Sequence, residues 1–332
     1  TSTPNTEPTL STSPTIRNKS ETKPALLLLI PLKPAFVERL QQDWTVLEPQ
    51  GGVKSPALAT LDLTPVQAIV TNGSSGASVA LMQRMPQLKI VCCFGAGYEG
   101  VDLAYTREHG IALTNAPGVN DDTVADHALG LMLALARGYP QLDRAVREGR
   151  FASARDERPT LSGARLGMLG LGNIGMKIAQ RAAAFGMSIA YCTRKPRPDL
   201  GWRHYADAIA LAQAVDWLVV ATPGGAATRH LVNAAVLQAL GAKGWLVNIS
   251  RGSVVDEAAL IAALRDGVIA GAGLDVYADE PDINPALLAL PNTVFTPHMA
   301  GRSPQAQQAQ MDLLLANLQA CFEGRALPSA VN

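Results

Sequence analysis

Three separated segments of this 332-residue chain carry side chains suited to one reaction. Asn248-Ile249-Ser250-Arg251-Gly252 supplies a guanidinium, Glu280-Pro281 a carboxylate, and Thr296-Pro297-His298 an imidazole. A fixed guanidinium can hold a carboxylate and polarise the carbonyl beside it. An imidazole can protonate an alkoxide near neutral pH. A neighbouring carboxylate orients the ring and favours its charged form. The set suits hydride addition to a small 2-keto acid. Taken singly, each residue has a blander reading: a surface ion pair for Arg251, a turn residue for Glu280, a loop histidine satisfied by backbone for His298.

A hydride donor is implied further upstream. Gly170-Leu171-Gly172-Asn173-Ile174-Gly175 follows an apolar run and opens a helical pattern. In such a turn the first glycine allows the bend, the second lets backbone amides approach a pyrophosphate, and the third lets helix and strand pack closely. The helix N-terminus then faces the anion. NAD-selecting folds carry an acidic residue about twenty positions on, but here the chain reads Tyr191-Cys192-Thr193-Arg194-Lys195-Pro196-Arg197. Basic residues in place of a carboxylate attract a 2′-phosphate and remove a repulsion. The expectation is NADP(H), with NAD(H) used less efficiently. An ordinary solvated basic loop is the alternative.

The elements that position these groups alternate along the chain. Strands are expected at 25–30, 67–71, 89–93 and 111–114, with helices at 34–43, 78–84 and 102–109. A long apolar helix over 121–137, opened by acidic residues and closed by Arg137-Gly138, reads as buried between two units. The charged segment 142–161 reads as a surface arm. A second series follows, with strands at 165–169, 188–192, 217–221, 245–249, 270–274 and 293–295. Its helices are expected at 173–185, 206–214, 234–240 and 257–265, and a last helix at 305–322 returns to the first unit. The fold class is α/β with two Rossmann-like parallel-sheet domains. The cofactor domain, 119–301, is inserted into a discontinuous, flavodoxin-like substrate domain, 24–118 and 302–332. Phe94-Gly95-Ala96-Gly97-Tyr98 and Asn72-Gly73-Ser74-Ser75-Gly76 both end strands of that domain, and either could present backbone N–H groups to an anion or simply turn the chain. Gly76, Ala96 and Gly97 are the substrate candidates there, with Arg251 and His298.

Composition excludes little else. Basic and acidic residues balance at 28 each, which argues against a nucleic-acid or polyanion binder. No apolar run approaches the roughly 18–20 residues of a membrane helix. Cys92, Cys93, Cys192 and Cys321 have no metal-type spacing and read as structural thiols in a reducing cytosol, so no metal is expected. Residues 1–23, rich in Thr, Ser and Pro, read as a flexible tail, and the sequon Asn18-Lys19-Ser20 as chance.

In order and spacing, Gly95-Ala96-Gly97-Tyr98, Ala125-Asp126-His127-Ala128, Gly170 to Gly175, Asn248 to Gly252, Gly273-Leu274-Asp275-Val276, Glu280-Pro281 and Pro297-His298 resemble the D-isomer-specific 2-hydroxyacid dehydrogenases. The resemblance spans the chain from about Pro24 onward. It implies catalysis by Arg251, Glu280 and His298, with His298 as acid/base, and a substrate carboxylate on the amides of Ala96 and Gly97. It also implies Asp275 and Thr123 near the nicotinamide and Thr222 and Pro223 on the adenosine side; Ile249, Thr193, Arg194 and Lys195 complete the expected cofactor contacts, with the basic residues at the 2′-phosphate. A homodimer through the cofactor domain is implied as well. Thr193-Arg194-Lys195 and Leu88-Lys89-Ile90-Val91 are most similar to the glyoxylate/hydroxypyruvate reductase branch. The alternatives are a reductase of a sugar-derived 2-keto acid such as 2-ketogluconate, another dehydrogenase of the family, or a nucleotide-sensing scaffold that keeps the fold. One departure stands out. Met299-Ala300-Gly301-Arg302 follows His298 where the family has small residues, so Arg302 either reaches the cleft mouth or begins a helix.

Overall fold

The computed structural model describes residues 23–332. Apart from Lys23, the expected tail lies outside the described residues, as does the sequon. From Lys23 the chain runs through β1 (Ala25–Leu28), α1 (Pro34–Gln41), β2 (Thr45–Leu47), β3 (Val66–Thr71), α2 (Val79–Met82), β4 (Ile90–Cys93), α3 (Leu103–Glu108) and β5 (Ala112–Thr114). These strands form an all-parallel sheet in the order β2-β1-β3-β4-β5, the flavodoxin-like arrangement.

The second series is α4 (Asp121–Arg137), α5 (Tyr139–Arg147), β6 (Arg165–Leu169), α6 (Asn173–Ala184), β7 (Ser188–Cys192), β8 (Arg203–Tyr205), α7 (Ala208–Gln213), β9 (Trp217–Val220), α8 (Ala234–Leu240), β10 (Trp245–Asn248), α9 (Glu257–Arg265), β11 (Gly271–Leu274), α10 (Pro285–Leu288), β12 (Thr293–Phe295) and α11 (Pro304–Phe322). Its seven parallel strands are ordered β12-β11-β10-β9-β6-β7-β8. The order reverses between β6 and β9, which opens the crevice where such sheets bind nucleotides. Strands covered on both faces read as unbroken apolar runs, as in the fully buried Trp217-Leu218-Val219-Val220.

Two strands escape the sequence pattern. β2 and β8 are three residues long and partly exposed. Each lies at a sheet edge, so neither needs an apolar run, and the second sheet has seven strands rather than the six expected.

The long helix α4 has the expected bounds but a different setting. It packs on α6 and on β10, β11 and β12, all of the second unit. Gly273 makes this possible, because a Cβ there would press on Leu131 and Leu135 of α4. The helix is not apolar all round. Asp122, Asp126 and Gly130 form an exposed stripe, and the two aspartates pair with Lys177 and Arg181 of α6.

The last helix crosses back. Met311, Leu314 and Leu318 of α11 share a core with Leu26, Leu28, Ile90 and Cys92 of the first sheet. The segment 142–161 begins inside α5 and then has neither helix nor strand before β6. Val146 and Phe151 stand 57% and 66% exposed along it, and Tyr139, at the start of α5, 53%. Among the described residues no helix is long and apolar enough to cross a membrane.

Candidate active site

A cavity of about 750 Å³ lies between the two sheets, and residues of both line it. Arg251 enters from the turn after β10, and each neighbour in its motif has a task. Asn248 is buried; its Nδ2 donates to the Arg251 carbonyl at 3.0 Å and its Oδ1 accepts the Ser250 N–H at 3.1 Å. The Ser250 hydroxyl donates to the Thr222 carbonyl. Gly252 lies against the Tyr277 carbonyl, where a Cβ would not fit. Arg251 Nη1 is anchored on the Ser250 carbonyl at 2.8 Å. Nη2 approaches Glu99 Oε1 at 3.3 Å, an ion pair that crosses from the second sheet's unit to the first. The guanidinium rests on Gly97, where a side chain would collide with it.

His298 sits on the loop after β12 with φ of 50°, a left-handed conformation uncommon for a side-chain-bearing residue. Its N–H donates to the Asp275 carbonyl at 2.9 Å. Its Nδ1 lies 2.6 Å from Glu280 Oε2, so with an anionic Glu280 the proton sits on Nδ1 and Nε2 remains for chemistry. Glu280 Oε1 accepts the Tyr277 N–H at 3.0 Å. Burial alone would push the Glu280 carboxyl up, but the His298 hydrogen bond and charge, the Tyr277 amide and the Arg251 charge together hold it below its ordinary value.

Asp275 lines the cleft near the expected nicotinamide end, yet its carboxylate is mostly engaged elsewhere. It is 1% exposed and accepts from the Thr296 hydroxyl at 2.6 Å and from the Met299 and Ala300 N–H groups, both at 2.9 Å. His127 Nε2 adds a contact to the same Thr296 hydroxyl at 2.9 Å. Asp275 therefore holds the loop that carries His298.

The glycine turn has the geometry its spacing implies. Gly170 has φ of 94° and lies against the backbone of Ala221 and Thr222, and Gly175 lies against the Gly170 carbonyl. Around Gly172, by contrast, a Cβ would meet nothing within 4 Å, which leaves the space a dinucleotide needs. Gly172 caps α6, so the first amides of that helix, at Asn173 and Ile174, lack helical acceptors. The Gly170 N–H donates to the Cys192 carbonyl at 3.0 Å, which sets the turn beside Thr193-Arg194-Lys195. That loop is braced by the Thr193 hydroxyl on the Lys195 carbonyl at 2.6 Å and by His204 on the Thr193 carbonyl at 3.0 Å. Arg194 and Lys195 are exposed, with no carboxylate partner among the described residues. Arg197 is engaged by Asp199 at 2.9 Å and does not join them. The Thr222 hydroxyl is buried without a partner near this edge, and Pro223 follows it. Ile174 and Ile249 line the cavity. Open space, unbonded helix amides and unpaired cations together fit a phosphorylated dinucleotide.

Two expected positions differ. Gly76 does not line the cleft: it is buried, its N–H donates to the Asn72 carbonyl, and its own carbonyl accepts the Thr71 hydroxyl. Its φ of 63° and its packing on the Gly100 carbonyl explain the glycine, while Asn72, Gly73 and Ser74 form the wall instead. Thr123 also stays off the wall, because its hydroxyl bonds Ser303 at 2.8 Å; Asn120 and Val124 flank the cavity in its place. Ala96 and Gly97 do line it. Arg302 lines its mouth. Sequence reading missed Glu99, Lys33 and Gln310, which lie outside any recognisable spacing.

Comparison with known proteins agrees with this geometry. Residues 129–300 match the D-isomer specific 2-hydroxyacid dehydrogenase NAD binding domain. The chain is 39% identical to glyoxylate/hydroxypyruvate reductase A of Arabidopsis thaliana, over 92% of this chain and 98% of that protein. It is 37% identical to the 2-ketogluconate reductase of Gluconobacter oxydans, over 93% and 99%. Among solved structures it is similar to the NADPH-dependent glyoxylate/hydroxypyruvate reductase of Sinorhizobium meliloti in complex with NADP and malonate, with TM-score 0.87, 42% identity and coverage of 93% and 97%.

Proposed function

Since the chain belongs to the D-isomer-specific 2-hydroxyacid dehydrogenase family, we propose that it reduces small 2-keto acids such as glyoxylate and hydroxypyruvate to D-2-hydroxy acids with NADPH. The observation that carries this reading is the meeting of Arg251 with the Glu280–His298 pair in one cleft beside the Gly172 turn. NADPH, when bound, supplies the hydride. Gly172 and the α6 amides would hold its pyrophosphate, and Arg194 and Lys195 its 2′-phosphate. Arg251 and the amides of Ala96 and Gly97 bind the substrate carboxylate and orient C2. Arg251 also polarises the keto oxygen as negative charge grows there. His298 gives that oxygen the proton on Nε2, and Glu280 holds the ring and stabilises its charged form. Removing either His298 or Arg251 as alanine variants should lower kcat/KM by at least about a hundredfold; full turnover by either variant overturns the assignment. Arg194→Asp should shift preference toward NADH by at least about tenfold, and an unchanged cofactor ratio removes Arg194 from that role.

The relative from Gluconobacter keeps a second substrate reading open, a sugar-derived 2-keto acid. We place the cofactor domain at 119–301 and the substrate domain at 24–118 with 302–332, the return of α11 to the first sheet supporting the second junction. The exposed Tyr139, Val146 and Phe151 support a homodimer through the cofactor domain; light scattering should give twice the chain mass. Four unpaired thiols, two of them buried, support work in the cytosol, which cell fractionation tests.

A further inference from the structure

The cleft continues past the reacting centre. Beyond Arg251 and His298 its wall runs to the loop after β1 and to the start of α11, where Lys33, Phe36, Arg302, Gln307 and Gln310 line it. Elsewhere in the molecule arginines commonly meet an acid, as Arg39 meets Asp43 and Arg165 meets Asp216. At this mouth neither Lys33 nor Arg302 has a carboxylate partner among the described residues. Lys33 Nζ instead stands 5.6 Å over the Phe36 ring. Arg302 directly precedes Ser303, the N-cap of a 19-residue helix whose dipole adds positive potential. The acids of the cleft make no ion pair with either cation, since Glu280 is bound to His298 and Asp275 to the loop amides.

The same wall carries a polar amide. Gln310 is 7% exposed as a residue and lines the cavity, where its amide can offer a ligand a hydrogen bond.

We infer that this mouth is a second anion subsite, in which Arg302, Lys33 and Gln310 hold the charged far end of an elongated 2-keto acid, so that dianionic 2-keto acids are the preferred substrates. The inference rests on the reading of Arg251 and His298 as the reacting centre. It goes further by assigning the other end of the substrate. A carboxylate and a phosphate share the chemistry these residues recognise.

Initial rates of NADPH oxidation separate the possibilities. The probes are glyoxylate with no far group, 2-ketogluconate with a far end of hydroxyls, oxaloacetate and 2-oxoglutarate with a far carboxylate, and 3-phosphohydroxypyruvate with a far phosphate. At least one dianion should exceed glyoxylate and 2-ketogluconate in kcat/KM. Arg302→Gln should raise the KM of that dianion at least about tenfold with kcat retained, while the KM for glyoxylate stays within about twofold, since glyoxylate has no group that reaches Arg302. Lys33→Gln should move the same dianion in the same direction. A gain on the carboxylates or on the phosphate identifies the source of the far charge. Equal shifts for glyoxylate, 2-ketogluconate and the dianions overturn the subsite, as does a parent enzyme that favours the monoanions. Loss of turnover with every keto acid in the parent enzyme overturns the reaction instead, so the two failures are distinct.

Discussion

At the scale of residues, the Glu280–His298 pair links chemistry to stability. Burial pushes the Glu280 carboxyl up, but the hydrogen bond and charge of His298, the Tyr277 amide and the Arg251 charge together hold it below its ordinary value. A depressed carboxyl contributes stability above its unfolded pKa, about 4.3, and loses it as pH falls through the folded value. Glu280→Gln should therefore melt below the parent at neutral pH, and the gap should close as the solution is acidified through the carboxylate range. Calorimetric melting curves across that range test the sign; a gap that widens in acid contradicts it. Most of this site was legible from residue types. Arg251, Glu280 and His298 are in the sequence in plain order, and basic residues where an NAD-type fold carries an acid pointed to the cofactor. Gly76 misled because a glycine after a strand serves a tight turn as readily as a ligand, and only its bonded N–H and carbonyl separate the two.

At the scale of elements, the loop after β12 depends on one buried carboxylate. Asp275 accepts from the Thr296 hydroxyl and from the Met299 and Ala300 amides on either side of the turn that carries His298. Asp275→Ala leaves these donors without an acceptor, at about 1–3 kcal/mol for each that stays buried. The variant should lose at least about 2 kcal/mol of stability by denaturant unfolding, and its kcat should fall more than its KM rises. Asp275→Asn, which keeps one oxygen, should lose less of both. Full activity in the alanine variant would show that the loop stands without this residue. The long elements were readable because burial on one or both faces imposes a pattern, as in α4 and β9. The edge strands β2 and β8 were not, because an edge meets one neighbour and tolerates residues such as Arg203 and His204. The setting of α4 was misread for a related reason: its apolar residues say that it is buried, but not against which sheet.

At the scale of the whole molecule, two parallel sheets each supply what the other lacks. The second sheet brings the guanidinium, imidazole and glycine turn, and the first brings the amides of Ala96 and Gly97. No sequence spacing shows that Glu99 of the first unit would meet Arg251 of the second, 152 positions later. That contact has a kinetic consequence. Glu99 is a carboxylate already seated on the guanidinium meant for the substrate, a tethered competitor whose local concentration never falls. Partly exposed pairs of this kind contribute about 0–1 kcal/mol, equivalent to no more than about a fivefold reduction in apparent affinity for a keto acid. Glu99→Gln should lower the KM for glyoxylate within that limit and leave kcat unchanged, whereas a higher KM would make Glu99 a support for Arg251. The resting enzyme thus screens its visitors: a stray monocarboxylate that offers Arg251 one weak contact has to outbid a resident, and only a ligand with further holds in the cleft displaces it.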